Sequence, residues 1–368
     1  MDEKEKAFAL ILMLYWVYKQ TMELPVPYVQ NDYNFAFLLL IQMYQRFERQ
    51  AMPLPYFGFR IRSRILEDEM PGPWVSNDVY GNLIIRPYEF WILSGETVES
   101  FQELVTLVSR RLQNYNVGES CMTIENRILL TLIWLRQYPT YTLLSLTFGI
   151  SVSAVGRIVN IMWIPMWEVV SPLIRWPAVQ DWRNCRGRWP EMSNVVGCID
   201  GTSHEILTPM TEPQEEFYSG HRKYHCIHTQ VIIDNDKNIV YVHSGFLGHE
   251  NDAHAYRQFG PIGPGQLMDF PNNCYILADS IYPNEYPLVT PFKSVDIVRA
   301  PRREQRRRRK FNALHRKRRV YVEHIMKEFK TFRVVGSLYR HPRWQMASIV
   351  ELCVGLSQRR TDMIRDRF

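Results

Sequence analysis

The apolar positions of this chain follow two different rhythms. Between residues 123 and 162 they recur at helical spacing, with Ile128, Leu129, Leu130, Leu132, Ile133 and Leu135 forming the buried side of a first helix. Residues 142–148 predict a short second helix, Gly149, Ile150 and Ser151 a turn, and Ser151 suits the N-cap of a third helix over 152–162. On that third helix Val155, Ile158 and Ile161 are expected inward and Ser153, Arg157 and Asn160 outward. This is the spacing of a helix-turn-helix whose last helix enters a major groove, with Arg157 as a DNA contact. The same shape also serves as a plain packing unit, and few positive charges lie here, so dimerisation or partner contact stands beside base reading.

Downstream the rhythm changes to short apolar runs at 195–199 and 274–278 and a β-branched run at 229–233, which predict strands covered on both faces. Helical patterns follow over 253–259, 318–332 and 347–356, with a turn-rich loop at 261–265. Upstream, the pattern predicts an apolar N-terminal helix over 7–18, Pro-containing loops at 24–27 and 52–73, and a helix over 101–112. Residues 163–190 read as a Trp-rich connector broken by Pro165, Pro172, Pro177 and Pro190. The organisation expected is a mostly helical region of unassigned role over 1–120, a helix-turn-helix and connector over 121–190, an α/β domain over 191–340, and a helical tail over 341–368.

Two of the apolar runs end in acid: Asp200 follows Ile199 and Asp279 follows Ala278. A charge at the end of a buried strand is costly to desolvate unless it meets a cation, so the pair suggests one shared site at a sheet edge. Hard carboxylate oxygens suit Mg²⁺ or Mn²⁺, and two such ions about 4 Å apart promote in-line phosphoryl displacement. Glu323, in the helical stretch 318–332, is placed to join them. Against this, a single strand-terminal Asp more often serves a turn or a helix cap.

With 368 residues, 46% of them hydrophobic, the chain can bury a large core and is expected to fold as more than one domain. No stretch reaches the ~20 apolar residues of a membrane span, and residues 7–18 follow an acidic start, unlike a secretory signal. A protein without a membrane partner is therefore expected. The six cysteines, at 121, 185, 198, 226, 274 and 353, show no close pairing, which points to a reducing compartment. His221, His225 and His228 read as a strand lead-in rather than a zinc site.

Charge is local. Residues 302–319 hold 11 Lys or Arg against Glu304 alone, while the remainder holds 33 basic and 37 acidic residues. Such a block neutralises DNA phosphates, with Arg306, Arg307, Arg308, Arg309, Lys310, Arg316, Lys317, Arg318 and Arg319 as the candidate contacts, and it also reads as a nuclear-import signal. The bland alternative is a solvated, disordered insertion held open by like-charge repulsion. Its position just before Glu323 favours phosphate binding.

The blocks around the acids carry a resemblance. The 197–202 sequence Gly-Cys-Ile-Asp-Gly-Thr, the 278–283 sequence Ala-Asp-Ser-Ile-Tyr-Pro, and Arg319-Val320-Tyr321-Val322-Glu323 followed by Phe329-Lys330-Thr331-Phe332 resemble, in order and spacing, the PIF/Harbinger group of DDE transposases and the domesticated nucleases derived from it. The likeness covers roughly 123–335 and includes the Leu135 to Tyr141 segment of the helix-turn-helix. It implies an α/β fold with an RNase H-like mixed sheet preceded by an all-α region, with Asp200, Asp279 and Glu323 as catalytic triad. It further implies Mg²⁺ or Mn²⁺ as cofactor, double-stranded DNA as substrate, a Myb-like DNA-binding partner, homo-oligomerisation and a nuclear location, with some protein in the cytoplasm. Asp252 matches a family aspartate often counted among the metal ligands, although Asn251 or Asp252 also suits a helix cap. The chain departs from the pattern where Ala278 and Ile281 replace glycines, so that Ile281 is expected to crowd the loop beside Asp279, and where Ser203 separates Thr202 from His204. Two functions follow: a metal-dependent DNA endonuclease or transposase, or a host-recruited DNA-binding scaffold that has kept the fold without turnover.

Overall fold

The computed structural model describes residues 76–113, 122–210, 212–258 and 260–365. All of them belong to one compact unit, 73–368. The expected helix at 7–18 and the loops at 24–27 and 52–73 lie outside the described residues.

Among the described residues six helices come first: α1 (Val79–Ile84), α2 (Pro87–Ser94), α3 (Val98–Leu112), α4 (Ile124–Gln137), α5 (Tyr141–Phe148) and α6 (Val152–Val170). The starts of α3 to α6 are set by hydroxyl caps. Thr97, Thr123, Thr140 and Ser151 each accept from the backbone N–H three residues on, satisfying a donor that the first turn leaves orphaned. Gly149, at φ 64°, ends α5 in the left-handed conformation and reverses the chain, and α5 meets the following helical stretch at 101°. Among the described residues no single helix is long and apolar enough to cross a membrane.

Helix α6 runs 19 residues, well past the predicted end at 162, and takes in Pro165. Proline removes one helical hydrogen bond, but Met162, Trp163, Met166 and Val170 bury themselves on one side and their packing outweighs that loss. The connector therefore begins after 170, with α7 (Val179–Asn184) inside it. The inward face is also narrower than expected: Val155 is buried, whereas Ile161 is 43% exposed.

The sheet is built from β1 (Val195–Glu205), β2 (Tyr218–Ser219), β3 (Tyr224–Asp234), β4 (Ile239–Leu247), β7 (Tyr275–Leu277) and β8 (Leu288–Val289). Its spatial order is β4-β3-β1-β7-β8, with β2 beside the start of β3. β4, β3 and β1 are antiparallel, and β1, β7 and β8 are parallel. Short elements fill the connections: α8 (Gln214–Phe217), α9 (Asp252–Arg257), the two-residue strands β5 (Ile262–Gly263) and β6 (Met268–Asp269), and α10 (Ser294–Arg299). Both faces are covered, as the unbroken apolar runs require. Val195, Cys198, Val231 and Ile233 join the larger core with α4, α6 and the C-terminal helices, while Val196, Ile199 and Ile232 pack with Trp182, Phe270 and Tyr282 on the other side.

The last helices are α11 (Arg302–Phe329), α12 (Arg333–Gly336) and α13 (Met346–Arg365). Residues 302–319 are thus not an insertion but the first part of the helix that carries Glu323. Helix α13 is tied to α3 by Arg359, which bonds the fully buried Glu96 at 2.8 Å and the Ser100 carbonyl at 2.8 Å. Within α13, the Glu351 carboxylate accepts from Trp167 Nε1 at 3.3 Å, and burial pushes its pKa up to about 7. The folded state thus favours protonated Glu351, a contribution present below its ordinary value of 4.5 and lost as pH rises through about 7. Glu351→Gln should therefore flatten the pH dependence of the melting temperature between pH 5 and 8 and raise it above wild type at pH 8, as read by thermal unfolding across that range. An unchanged pH profile would contradict the assignment.

Candidate active site

Strand pairing brings the two aspartates together. β1 and β7 run parallel with Cys198 opposite Leu277, and Asp200 and Asp279 each lie two residues beyond that pair. Two residues restore the same side of the pleat, so both acids emerge at one end of the sheet on one side. Asp279 follows the end of β7, and its Oδ1 accepts from the Ser280 N–H at 2.7 Å. Asp200 sits within β1, which continues five residues further paired to β3 alone.

Helix α11 crosses this sheet end, with Cys198 Sγ 3.6 Å from the Arg318 carbonyl. Arg319 and Glu323 stand one turn apart on it. Arg319 Nη1 donates to Asp200 Oδ2 at 2.6 Å, and Nη2 donates to Glu323 Oε1. Asp279 adds its charge to the carboxylates that favour the Arg319 cation. Burial pushes the Asp200 carboxyl up to about 6, against the pull of Arg319. Sequence reasoning assigned Arg319 to DNA phosphate; here it bridges two of the predicted acids instead.

Asp252 also reaches the site. Asn251 is the cap of α9, its Oδ1 accepting from the His254 N–H at 2.9 Å. That leaves the Asp252 carboxylate to accept from Gln230 Nε2 at 2.7 Å, and its charge raises the Asp200 pKa further. Gln230, fully buried on β3, accepts in turn from the Tyr282 hydroxyl. This Tyr282–Gln230–Asp252 chain was missed from the sequence, where the one visible signal is a glutamine inside an apolar strand run. Gly201, paired with Gln230, is required by the same approach, because a Cβ there would run into the Asp252 carboxylate.

The departures from the resembled pattern have specific outcomes. Ile281 is 54% exposed and does not crowd the loop. Ser203 faces β3 and bonds His228 Nδ1 at 3.1 Å, while His204 turns to the opposite face and meets the Val335 carbonyl at 2.8 Å.

The four carboxylates offer the hard oxygen donors a divalent cation needs. Arg319 supplies the positive charge between Asp200 and Glu323, so the site is already built around a cation. As they stand, no three His, Cys, Asp or Glu side chains among the described residues are grouped closely enough to hold a metal. The donor set fits the ion in chemistry, with the guanidinium lying where two of the donors meet.

The remaining predicted contacts divide. Arg306, Arg307, Arg309, Lys310, Arg316 and Lys317 are exposed along α11, and Arg157 is exposed on α6. Arg308 is instead held by Glu304 at 3.3 Å and by the Asp296 carbonyl at 2.9 Å, and Arg318 pairs with Glu191 at 2.5 Å and lies over the Trp189 ring. Asn160, expected to face a groove, accepts from Gln345 at 3.1 Å. Beside Asp279 opens a cleft of about 440 Å³ edged by Phe292, Lys293, Arg316 and Arg319.

Comparison with known proteins agrees with this geometry. Residues 199–358 match the family model of the DDE superfamily endonuclease, and residues 120–164 match that of the helix-turn-helix of DDE superfamily endonuclease. A probable transposase for insertion sequence element IS702 from Microchaete diplosiphon is 25% identical over 273 residues, which cover 71% of this chain and 90% of the relative. No solved structure matches the chain.

The cap and the site residue separate in stability. Asn251→Ala should lower unfolding free energy by about 1 kcal/mol, the usual cost of losing a cap, and Gly201→Ala by about 1–3 kcal/mol through overpacking. Asp252→Asn, which keeps an acceptor for Gln230, should cost less than about 0.5 kcal/mol. Urea titration of the three variants checks the order; a larger loss for Asp252→Asn than for Asn251→Ala would return Asp252 to a capping role.

Proposed function

We propose that this chain, which carries the DDE superfamily endonuclease domain and its helix-turn-helix, cuts DNA phosphodiester bonds as a transposase-type nuclease of the PIF/Harbinger kind. The observation that carries the reading is the alignment of Asp200 and Asp279 by the parallel β1–β7 register, with Glu323 joined to Asp200 through Arg319. The strand order β4-β3-β1-β7-β8, three antiparallel strands followed by two parallel ones, supports an RNase H-like sheet.

Asp200, Asp279 and Glu323, with Asp252, would hold Mg²⁺ or Mn²⁺ in a two-metal arrangement. Bound there, such ions would supply the positive charge that activates water, or later a DNA 3′ hydroxyl, for in-line attack and stabilises the leaving oxygen. The chain's own contribution is positional. The Tyr282–Gln230–Asp252 hydrogen bonds fix the Asp252 carboxylate, and Arg319 keeps Asp200 and Glu323 paired before substrate arrives. Exposed cations on α11 lie on the helix that carries Glu323, so phosphates held by Arg306, Arg307, Arg309 and Lys310 lead toward Arg316 and the cleft beside Asp279. Such contacts set register without reading sequence. Arg157 on α6 is the candidate for groove contact. The same basic run supports nuclear import, and the exposed apolar Leu143, Leu146 and Val152 around the helix-turn-helix support a homo-oligomer or a Myb-like partner there.

Asp200→Asn, Asp279→Asn and Glu323→Gln should each abolish Mn²⁺-dependent nicking of supercoiled DNA while leaving DNA affinity within about threefold, because an amide keeps the shape and loses the ligand charge. Tight DNA binding by wild type with no nicking under any divalent ion would favour the scaffold function instead. Changing Arg306, Arg307, Arg309 and Lys310 to Gln should reduce the slope of log affinity against log salt by about 3–4, the yield of four phosphate contacts. Titrations at several salt concentrations measure it, and an unaltered slope would remove these residues from the duplex.

A further inference from the structure

One partly exposed aromatic ring lies beside the site. Phe292, in the segment between β8 and α10, is 40% exposed and borders the cleft next to Asp279. It is held with unusual care for a surface side chain. Asn312 on α11 clamps its backbone at both ends, accepting from the Phe292 N–H at 2.9 Å and donating to the Phe292 carbonyl at 2.8 Å. The Phe311 ring packs edge-on at 5.4 Å, and the Arg308 guanidinium lies over the ring at 4.9 Å from its centre. Arg308 is itself anchored by Glu304 and the Asp296 carbonyl. The orientation is therefore set before any ligand arrives, which lowers the entropic cost of a partner stacking on the ring.

The surroundings define that partner. Lys293 and Arg316 edge the same cleft and offer charge for phosphate, and Asp279 also lines it. A rigid aromatic surface, flanking cations and a volume of about 440 Å³ suit one nucleotide rather than a base pair. We propose that Phe292 is a stacking platform for an unpaired base adjacent to the phosphate being cut, so that the protein takes its substrate locally opened. The inference rests on the nuclease reading for the identity of the neighbouring phosphate, and on the clamped ring alone for base binding. Arg308, expected from sequence to contact phosphate, acts here as a positioning residue that supports the ring.

The test uses the full chain without divalent ions, so that no DNA is cut, and two duplexes differing only in a single bulged 2-aminopurine. Wild type should bind the bulged duplex about tenfold more tightly than the paired one and quench its fluorescence on binding. Phe292→Ala should lose that preference and the quenching, by the factor of about 5 to 100 that one base–aromatic stack supplies, with affinity for the paired duplex unchanged. Phe292→Trp should keep both, and Asn312→Ala, which frees the ring without removing it, should fall between. Equal preference and equal quenching in wild type and Phe292→Ala would overturn the proposal. So would a Phe292→Ala variant that keeps the preference and dissociates a dimer, which would assign the ring to a protein interface. Base binding with no nicking under Mn²⁺ would leave the platform standing and sink the nuclease reading, whereas nicking without bulge preference would do the reverse.

Discussion

The guanidinium of Arg319 is the contact on which the site depends. It joins β1 to α11 through Asp200 and Glu323, and it does so where Asp200 is largely withdrawn from water. Two carboxylates brought this close repel one another, and each is costly to desolvate. One shared cation offsets both effects, and because Arg319 and Glu323 lie one helical turn apart, the bond also fixes the rotation of α11 about its axis. That rotation determines which of the helix's basic residues face solvent and which turn toward the sheet. Removing Arg319 alone would leave an unpaired acid on β1, the costly half of a broken buried pair.

Helix α11 consequently links three features that the sequence separates. Its first half carries exposed basic residues, its middle supplies Asn312 and Arg316 to the cleft, and its second half brings Arg319 and Glu323 to the aspartates. Under the proposed function, a phosphate chain lying along these basic residues would meet the cleft and then the acids. The helix is anchored despite its charge. Arg308 is neutralised by Glu304, Arg318 by Glu191, and Val322, Ile325, Met326 and Phe329 are buried against the core.

What was legible in the sequence was whatever follows from periodicity and from charge at the end of an apolar run. Asp200 and Asp279 could be found because strands covered on both faces read as unbroken apolar stretches, and the Ser151 cap because hydroxyl residues before a helical pattern have a local meaning. Contacts made across long separations were not legible. Nothing local tells that Arg319 turns toward Asp200 rather than toward phosphate, or that Gln230 on β3 holds Asp252 on α9. The continuation of α6 through Pro165 was not legible because intrinsic propensity argues against helix there and tertiary packing overrides it, whereas residues 302–319, readable as helix, loop or insertion, are fixed as helix by continuity with the packed half of α11. Ile281 was expected to crowd its neighbours because its size was visible and its outward direction was not.

The proposed nuclease function requires the carboxylates around Arg319 to hold a divalent ion in place of the guanidinium. A crystal soaked in Mn²⁺ and measured at the manganese absorption edge addresses it directly. The account predicts an anomalous peak in contact with the Asp200 carboxylate and with at least one of Asp279, Glu323 and Asp252, together with a broken Arg319–Asp200 bond. A site free of anomalous signal under saturating Mn²⁺, with Arg319 still bridging Asp200 and Glu323, would contradict it.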